Sequence, residues 1–146
     1  MTTRGYIAYR DGFQYQLVED AEFQTSLRPK KWIRTKFVNL SPAGLLLLKE
    51  GFAWDGPSGP AMDTPASMYG SAPHDGTYRL MRFRLIARDQ QKLADDDYKR
   101  FCLEAGMWEF RAWMHFNALR SFGGASTDPA SERPILYAPR KPEGAT

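Results

Sequence analysis

Residues 45–65 read LLLLKEGFAWDGPSGPAMDTP, and the chain changes character twice within them. Leu45 to Leu48 is an apolar run of strand length that does not alternate, a pattern that predicts a strand covered on both faces. Asp55, Ser58, Asp63 and Thr64 then crowd among Pro57, Pro60 and Pro65. Proline has no N–H and a fixed φ, so neither a helix nor a ladder runs through this stretch. It ends on Thr64-Pro65, the form of an N-cap followed by proline at the first helical position. The segment therefore divides a strand half from a helical half.

Working back toward the N-terminus, GYIAY and FQYQLV flank Asp11-Gly12. Asp-Gly tolerates the positive φ of a tight turn, so the pattern predicts a hairpin, with Phe13, Tyr15 and Leu17 on one face. Further strands are expected over 22–27 and 32–40. Ser41-Pro42-Ala43-Gly44 supplies the next turn, with proline at its first central position. The basic segment RPKKWIRTK, residues 28–36, reads as a solvated hairpin whose alternate residues face water. It carries Trp32 as a possible stacking surface, yet nucleic acid is not the favoured partner.

Toward the C-terminus the reading is helical. One helix is expected from Pro65 to about Met81, bent near Pro73. A second begins near Asp89 and ends at Gly106, a suitable C′ residue. The third, about 107–122, is apolar around nearly its whole circumference and is expected to be deeply buried or covered by another chain. Beyond Gly123-Gly124, residues 125–146 form a Pro-, Ser- and Gly-rich tail in which PILYAP, 134–139, is expected to dock as an extended strip. The fold class is thus α+β: an antiparallel sheet with hairpins on about three helices, one domain over 1–124, and a tail.

At 146 residues with 42% hydrophobic content, the chain suits a single packed domain. A lone cysteine, Cys102, excludes an internal disulfide, and no CxxC pair is present for structural zinc. A net charge of +3 and a pI near 9.1 imply no polyanionic partner by themselves. The N-terminal residues lack the apolar stretch of a secretory signal, and no run is long enough to span a bilayer, so a soluble protein is expected.

The chemistry-bearing residues cluster around the divide. Asp55 and Ser58 lie in the loop, and His74 and Asp75 on the first helix, with His74 one turn from Ser71 and Tyr78. Asp75 points about a quarter-turn away from His74. On the second helix Asp97 is expected at the edge of the inward stripe formed by Leu93, Ala94, Phe101 and Ala105. Asp95 falls on the opposite edge, near Tyr98 and Cys102, and Asp96 faces outward. A carboxylate at an apolar boundary needs a partner; His74, Arg79, Arg82, Ser58 or a backbone N–H are the candidates.

The succession GFAWDGPSGP, HDGTYRL, ADDDYKRFCLEAG and FNALRSFGG resembles the phage and bacterial family known as domain of unknown function 1353, over about residues 45–124. The family motif falls on Gly51, Phe52, Asp55, Ser58, Pro60, His74, Asp75, Phe122 and Gly123. For its helical aspartate, spacing to Gly106 favours Asp95 and apolar periodicity favours Asp97. The loop here, with Asp63-Thr64, is bulkier than in the shortest members. The resemblance implies a phage or prophage origin among tail or lysis genes and brings no established activity.

Three functional readings follow. A purely structural network would have His74 bonded to a buried carboxylate, with Asp55 and Ser58 bracing the loop, so that the two halves are locked together. A hydrolase would use Ser58, His74 and an aspartate, or a divalent metal on His74, Asp75, Asp55 and Asp97 or Asp95. Only one other histidine, His115, is present, which excludes a multi-histidine site. An interaction protein would use helix 107–122 and tail 125–146 to bind phage structural proteins or a second copy. The expectation is a non-enzymatic accessory or virion protein in the host cytoplasm or the particle, without a cofactor.

Overall fold

The computed structural model describes residues 7–10, 13–57 and 64–145; the Asp11-Gly12 turn, Ser58, Pro60 and Asp63 lie outside them. In chain order the elements are β1 (Ile7–Tyr9), β2 (Tyr15–Gln16), β3 (Ala21–Gln24), β4 (Ile33–Arg34), β5 (Val38–Leu40), β6 (Leu45–Leu48), β7 (Ala53–Trp54), α1 (Pro65–Arg82), α2 (Gln91–Glu104), α3 (Glu109–Phe122) and β8 (Leu136–Ala138). The order β3-β6-β5-β4 makes a four-stranded antiparallel sheet, and β2-β7 and β1-β8 are separate antiparallel pairs. The expected α+β class is what the chain adopts. Among the described residues no helix is long and apolar enough to cross a membrane.

The strands depart from the sequence reading in three places. The two segments around Asp11-Gly12 do not pair with each other: β1 joins β8 and β2 joins β7. Tyr15 packs on Trp54 with ring centroids 5.8 Å apart, while Leu17 exchanges 2.9 Å backbone bonds with Gly51 and Phe52. Distant aromatic packing outweighs the local turn propensity. Second, the single strand expected over 32–40 is a hairpin. Thr35 Oγ1 accepts from Val38 N at 2.9 Å and donates to its carbonyl at 2.7 Å, closing a tight turn. Third, the four leucines do alternate. Leu46 and Leu48 are fully buried, whereas Leu45 is exposed and Leu47 half-buried, because the helices cover only one sheet face.

The helices begin as read. Thr64 accepts from Ser67 N at 3.2 Å, and Ser67 Oγ accepts from Thr64 N at 2.9 Å, a reciprocal cap with Pro65 at the first helical position. Gly106, at φ +99°, follows α2 as the left-handed residue a helix end favours. The α1 helix lies close to both neighbours because its contact positions are small. A Cβ on Gly70 would sit 2.5 Å from Cys102 Sγ of α2, and one on Gly76 would sit 2.7 Å from Leu48 Cδ2 of the sheet.

Between them lies the main core: Phe23, Leu40, Leu46, Leu48, Phe52 and Trp54 from the strands against Ala72, Leu80 and Phe101. Polar bonds join the same halves. Asp97 accepts from Ser26 N at 2.8 Å and from Ser26 Oγ at 2.7 Å, and Trp54 Nε1 donates to Ser71 Oγ at 3.0 Å.

The C-terminal residues are less extended than their composition suggests. Gly123–Thr127 and Pro129–Ser131 form 3-10 turns before β8. Arg88 Nε donates to Thr127 Oγ1 at 3.0 Å, and Arg82 Nη1 donates to the Ser126 carbonyl at 2.9 Å. The third helix is not deeply buried. Only Ala112 and Leu119 are enclosed, and Trp108, Phe110, Trp113 and Met114 are open to solvent.

Gly70→Ala is expected to destabilise the protein by about 1–3 kcal/mol through overpacking against α2. A urea melt that matches the parent would count against this close approach. Cys102 is fully buried, and burial pushes its thiol up to about 11. It should therefore resist a thiol reagent at pH 8 until denaturant is added.

Candidate functional site

One buried carboxylate organises the centre of the helical half. Asp95 of α2 is 0% exposed, where an unpaired charge would be driven to take up a proton. His74 Nε2 meets its Oδ1 at 2.8 Å, Tyr78 donates its hydroxyl to the same oxygen at 2.5 Å, and Arg120 Nη1 donates to Oδ2 at 3.0 Å. His74 and Tyr78 share a face of α1 at four-residue spacing, while Arg120 comes from the last turn of α3. Burial alone would raise the Asp95 pKa; the bonds from His74, Tyr78 and Arg120 overcome it and hold the group below the ordinary carboxylate range. Burial and then Asp95 push the Tyr78 phenol far up, so it remains a protonated donor.

The His74 ring is held between Tyr78 and Tyr98, at centroid distances of 4.0 and 5.3 Å. Bonding to an anionic carboxylate assigns the proton of the neutral ring to Nε2 and leaves the lone pair on Nδ1. Among the described residues Nδ1 has no hydrogen-bond partner. His74 also lines a cavity of about 220 Å³. The loop contributes Asp55 and Pro57 to its wall, α1 adds Asp75 and Arg82, α3 adds His115, and the C-terminal segment adds Glu132 and Arg133.

The groups around this cavity are paired by sign. Asp55 is ion-paired with Arg133, whose guanidinium lies 4.6 Å from the Phe13 ring centroid. Glu132 accepts from Arg82 Nε at 3.1 Å. Asp75 lies 3.5 Å from Arg79 Nη2. Burial raises the Asp75 pKa, and the opposing pull of Arg79 and Arg82 does not cancel it. Burial, assisted by Arg111, lowers the pKa of His115. Its Nδ1 is hydrogen-bonded to the Tyr98 hydroxyl at 2.8 Å.

Of the residues singled out in the sequence, His74, Asp75 and Asp55 line this one cavity, and Asp95 lies beneath it, bonded to His74. Asp97 does not join them: it faces Ser26 and accepts from Arg100 Nη2 at 3.1 Å, on the flank of α2 that meets the sheet. Asp55 meets Arg133 rather than His74, so the loop is braced by the C-terminal segment. Ser58 lies outside the described residues. Among the described residues no group of three or more His, Cys, Asp or Glu side chains is placed to hold a metal ion.

Arg120, His115, Glu132 and Arg133 were not read as site residues. A signal existed for His115, which falls on the inward stripe three residues after buried Ala112 and four before buried Leu119. Nothing local marked Glu132 or Arg133. Gly123 also has a part, because a Cβ there would lie 2.7 Å from the Tyr78 hydroxyl.

No family model, no curated protein and no solved structure matches this chain.

Asp95→Ala strands three donors and should cost about 3–5 kcal/mol, as removal of one partner from a buried ionic set does. The folded pKa of Asp95 lies below its ordinary value, so its contribution is complete above about pH 4 and is lost as pH falls through the folded value. The stability gap between the parent and Asp95→Asn should therefore narrow in urea melts taken at pH 3 relative to pH 7. His74→Ala should also lower the melting temperature sharply; a melt identical to the parent's would refute a structural role for the pair.

Proposed function

We propose that the cavity is the active site of a small hydrolase in which the His74–Asp95 pair activates water. The observation that carries this reading is the orientation of the imidazole. Nε2 is committed to a buried carboxylate, and the basic Nδ1 belongs to a residue on the cavity wall. In this reaction Nδ1 takes a proton from water as the hydroxide oxygen bonds to an ester carbonyl carbon. The bond to the alkoxide leaving group then breaks, and the imidazolium returns the proton to it. Asp95 stabilises the imidazolium, while Tyr78 and Arg120 hold the carboxylate in place. The guanidinium groups of Arg82 and Arg133 on the wall favour a developing oxyanion.

Of the wall serines Ser71, Ser126 and Ser131, Ser71 is the one on α1, one turn from His74, and its hydroxyl is engaged, so the reading takes water as the nucleophile. Ser71 Oγ accepts from Trp54 Nε1 and donates to the Met68 carbonyl, both at 3.0 Å. The test is hydrolysis of p-nitrophenyl esters of increasing acyl length, with bis-p-nitrophenyl phosphate alongside and with calcium, magnesium or chelator added. Parent protein should cleave the esters, and His74→Asn should lose about 100- to 10,000-fold in kcat while keeping the near-UV circular dichroism of a folded chain. Ser58→Ala should keep its activity. An inactive parent, or a fully active His74→Asn, would refute the proposal; an inactive Ser58→Ala would transfer the nucleophile from water to serine.

A second reading, an accessory or virion protein of phage type, is favoured by the uncovered α3 face. Trp108 is 85% and Phe110 70% exposed, and Phe110 stacks on Trp113. Aromatic patches of this kind are common at protein contacts. The motif resemblance adds a phage setting. Here, sedimentation should show association that rises with concentration and is abolished by Trp108→Ser with Phe110→Ser; a monomer at all concentrations would remove self-association from this reading.

A further inference from the structure

Phe13 and Glu132 line a second depression as well as the cavity, and its chemistry is different. It has a volume of about 460 Å³, within the range of small-molecule sites. Phe37, Val38, Phe83 and Ile135 give it apolar walls, and Arg10, Lys36 and Arg79 bring positive charge. Its acid, Glu132, is shared between Arg82 at 3.1 Å and Arg10 at 4.0 Å.

Arg79 is the unusual member. It is only 8% exposed, and its guanidinium lies between the rings of Phe52 and Phe13, 4.6 and 5.3 Å from their centroids. Nη2 donates to the Ala53 carbonyl at 2.6 Å and reaches Asp75 at 3.5 Å. Nε has no partner, alone among the buried side-chain polar atoms of the described residues. A buried cation in apolar surroundings is costly unless negative charge approaches it, and burial accordingly lowers its pKa.

We propose that this groove binds a small amphipathic organic anion. The apolar body lies along Phe37, Phe83 and Ile135, and its carboxylate faces Arg10, Lys36 and Arg79. Cationic excess selects the sign of the ligand, and the apolar walls select its body. The site does not require the His74 chemistry and stands whether or not the cavity hydrolyses esters.

The test is calorimetric titration of the full chain with decanoate and with decyltrimethylammonium, each below its aggregation concentration. Decanoate should bind saturably with one-to-one stoichiometry and raise the melting temperature, while the cation of the same chain length should not bind. Lys36→Glu, a change at an exposed position, should melt like the parent and weaken decanoate at least tenfold. Arg79→Met should weaken it further. Absence of saturable binding, equal binding of the two probes, or parental affinity in Lys36→Glu would overturn the proposal.

Discussion

The helical half depends on the charge of a single enclosed carboxylate. Asp95 cannot be solvated, so its ionisation requires donors from the protein, and they come from two other helices: His74 and Tyr78 of α1, and Arg120 of α3. Each donor is held in turn. Tyr98 packs edge-on against His74, and Gly123 leaves room for the Tyr78 hydroxyl. The interaction that lets the carboxylate remain charged also fixes how three helices meet.

The same bond connects structure to chemistry. A carboxylate that captures one imidazole nitrogen determines which nitrogen carries the proton, and therefore which is basic. A structural network and a proton-transfer device are physically alike in this respect. What separates them is access, and here the imidazole belongs both to the buried network and to the wall of a polar cavity. The wall opposite is built by distant parts of the chain, since Arg133 pairs with Asp55 of the strand-to-helix loop. The C-terminal segment thus completes the cavity as well as supplying the partner of β1.

The two halves of the molecule are joined elsewhere, by the Asp97 bonds to Ser26 and the Trp54 bond to Ser71. This division of labour explains why α2 carries neighbouring aspartates with different fates. Asp95 and Asp97 are separated by two residues' rotation, so one meets α1 and α3 while the other meets the sheet edge. Asp96, between them, is paired with Lys92 at a solvent-facing position.

Much of this was legible in the residues themselves. Proline punctuation at 57, 60 and 65, the Thr64 cap, the Pro42 turn and the glycine after α2 are local signals, and the elements begin and end where backbone chemistry dictates. His74 and Tyr78 on one helical face, and the need of an inward aspartate for a partner, were also readable from periodicity. Apolar periodicity favoured Asp97, yet Asp95 is the one bonded to His74, because a helix packed on two sides has two inward edges. Nor could it pair β1 with β8, or bring Arg120 and Arg133 to the site, since those contacts join residues far apart in sequence. Local propensity determined the elements; burial of a charge, which depends on every surface around it, decided which side chains became one site.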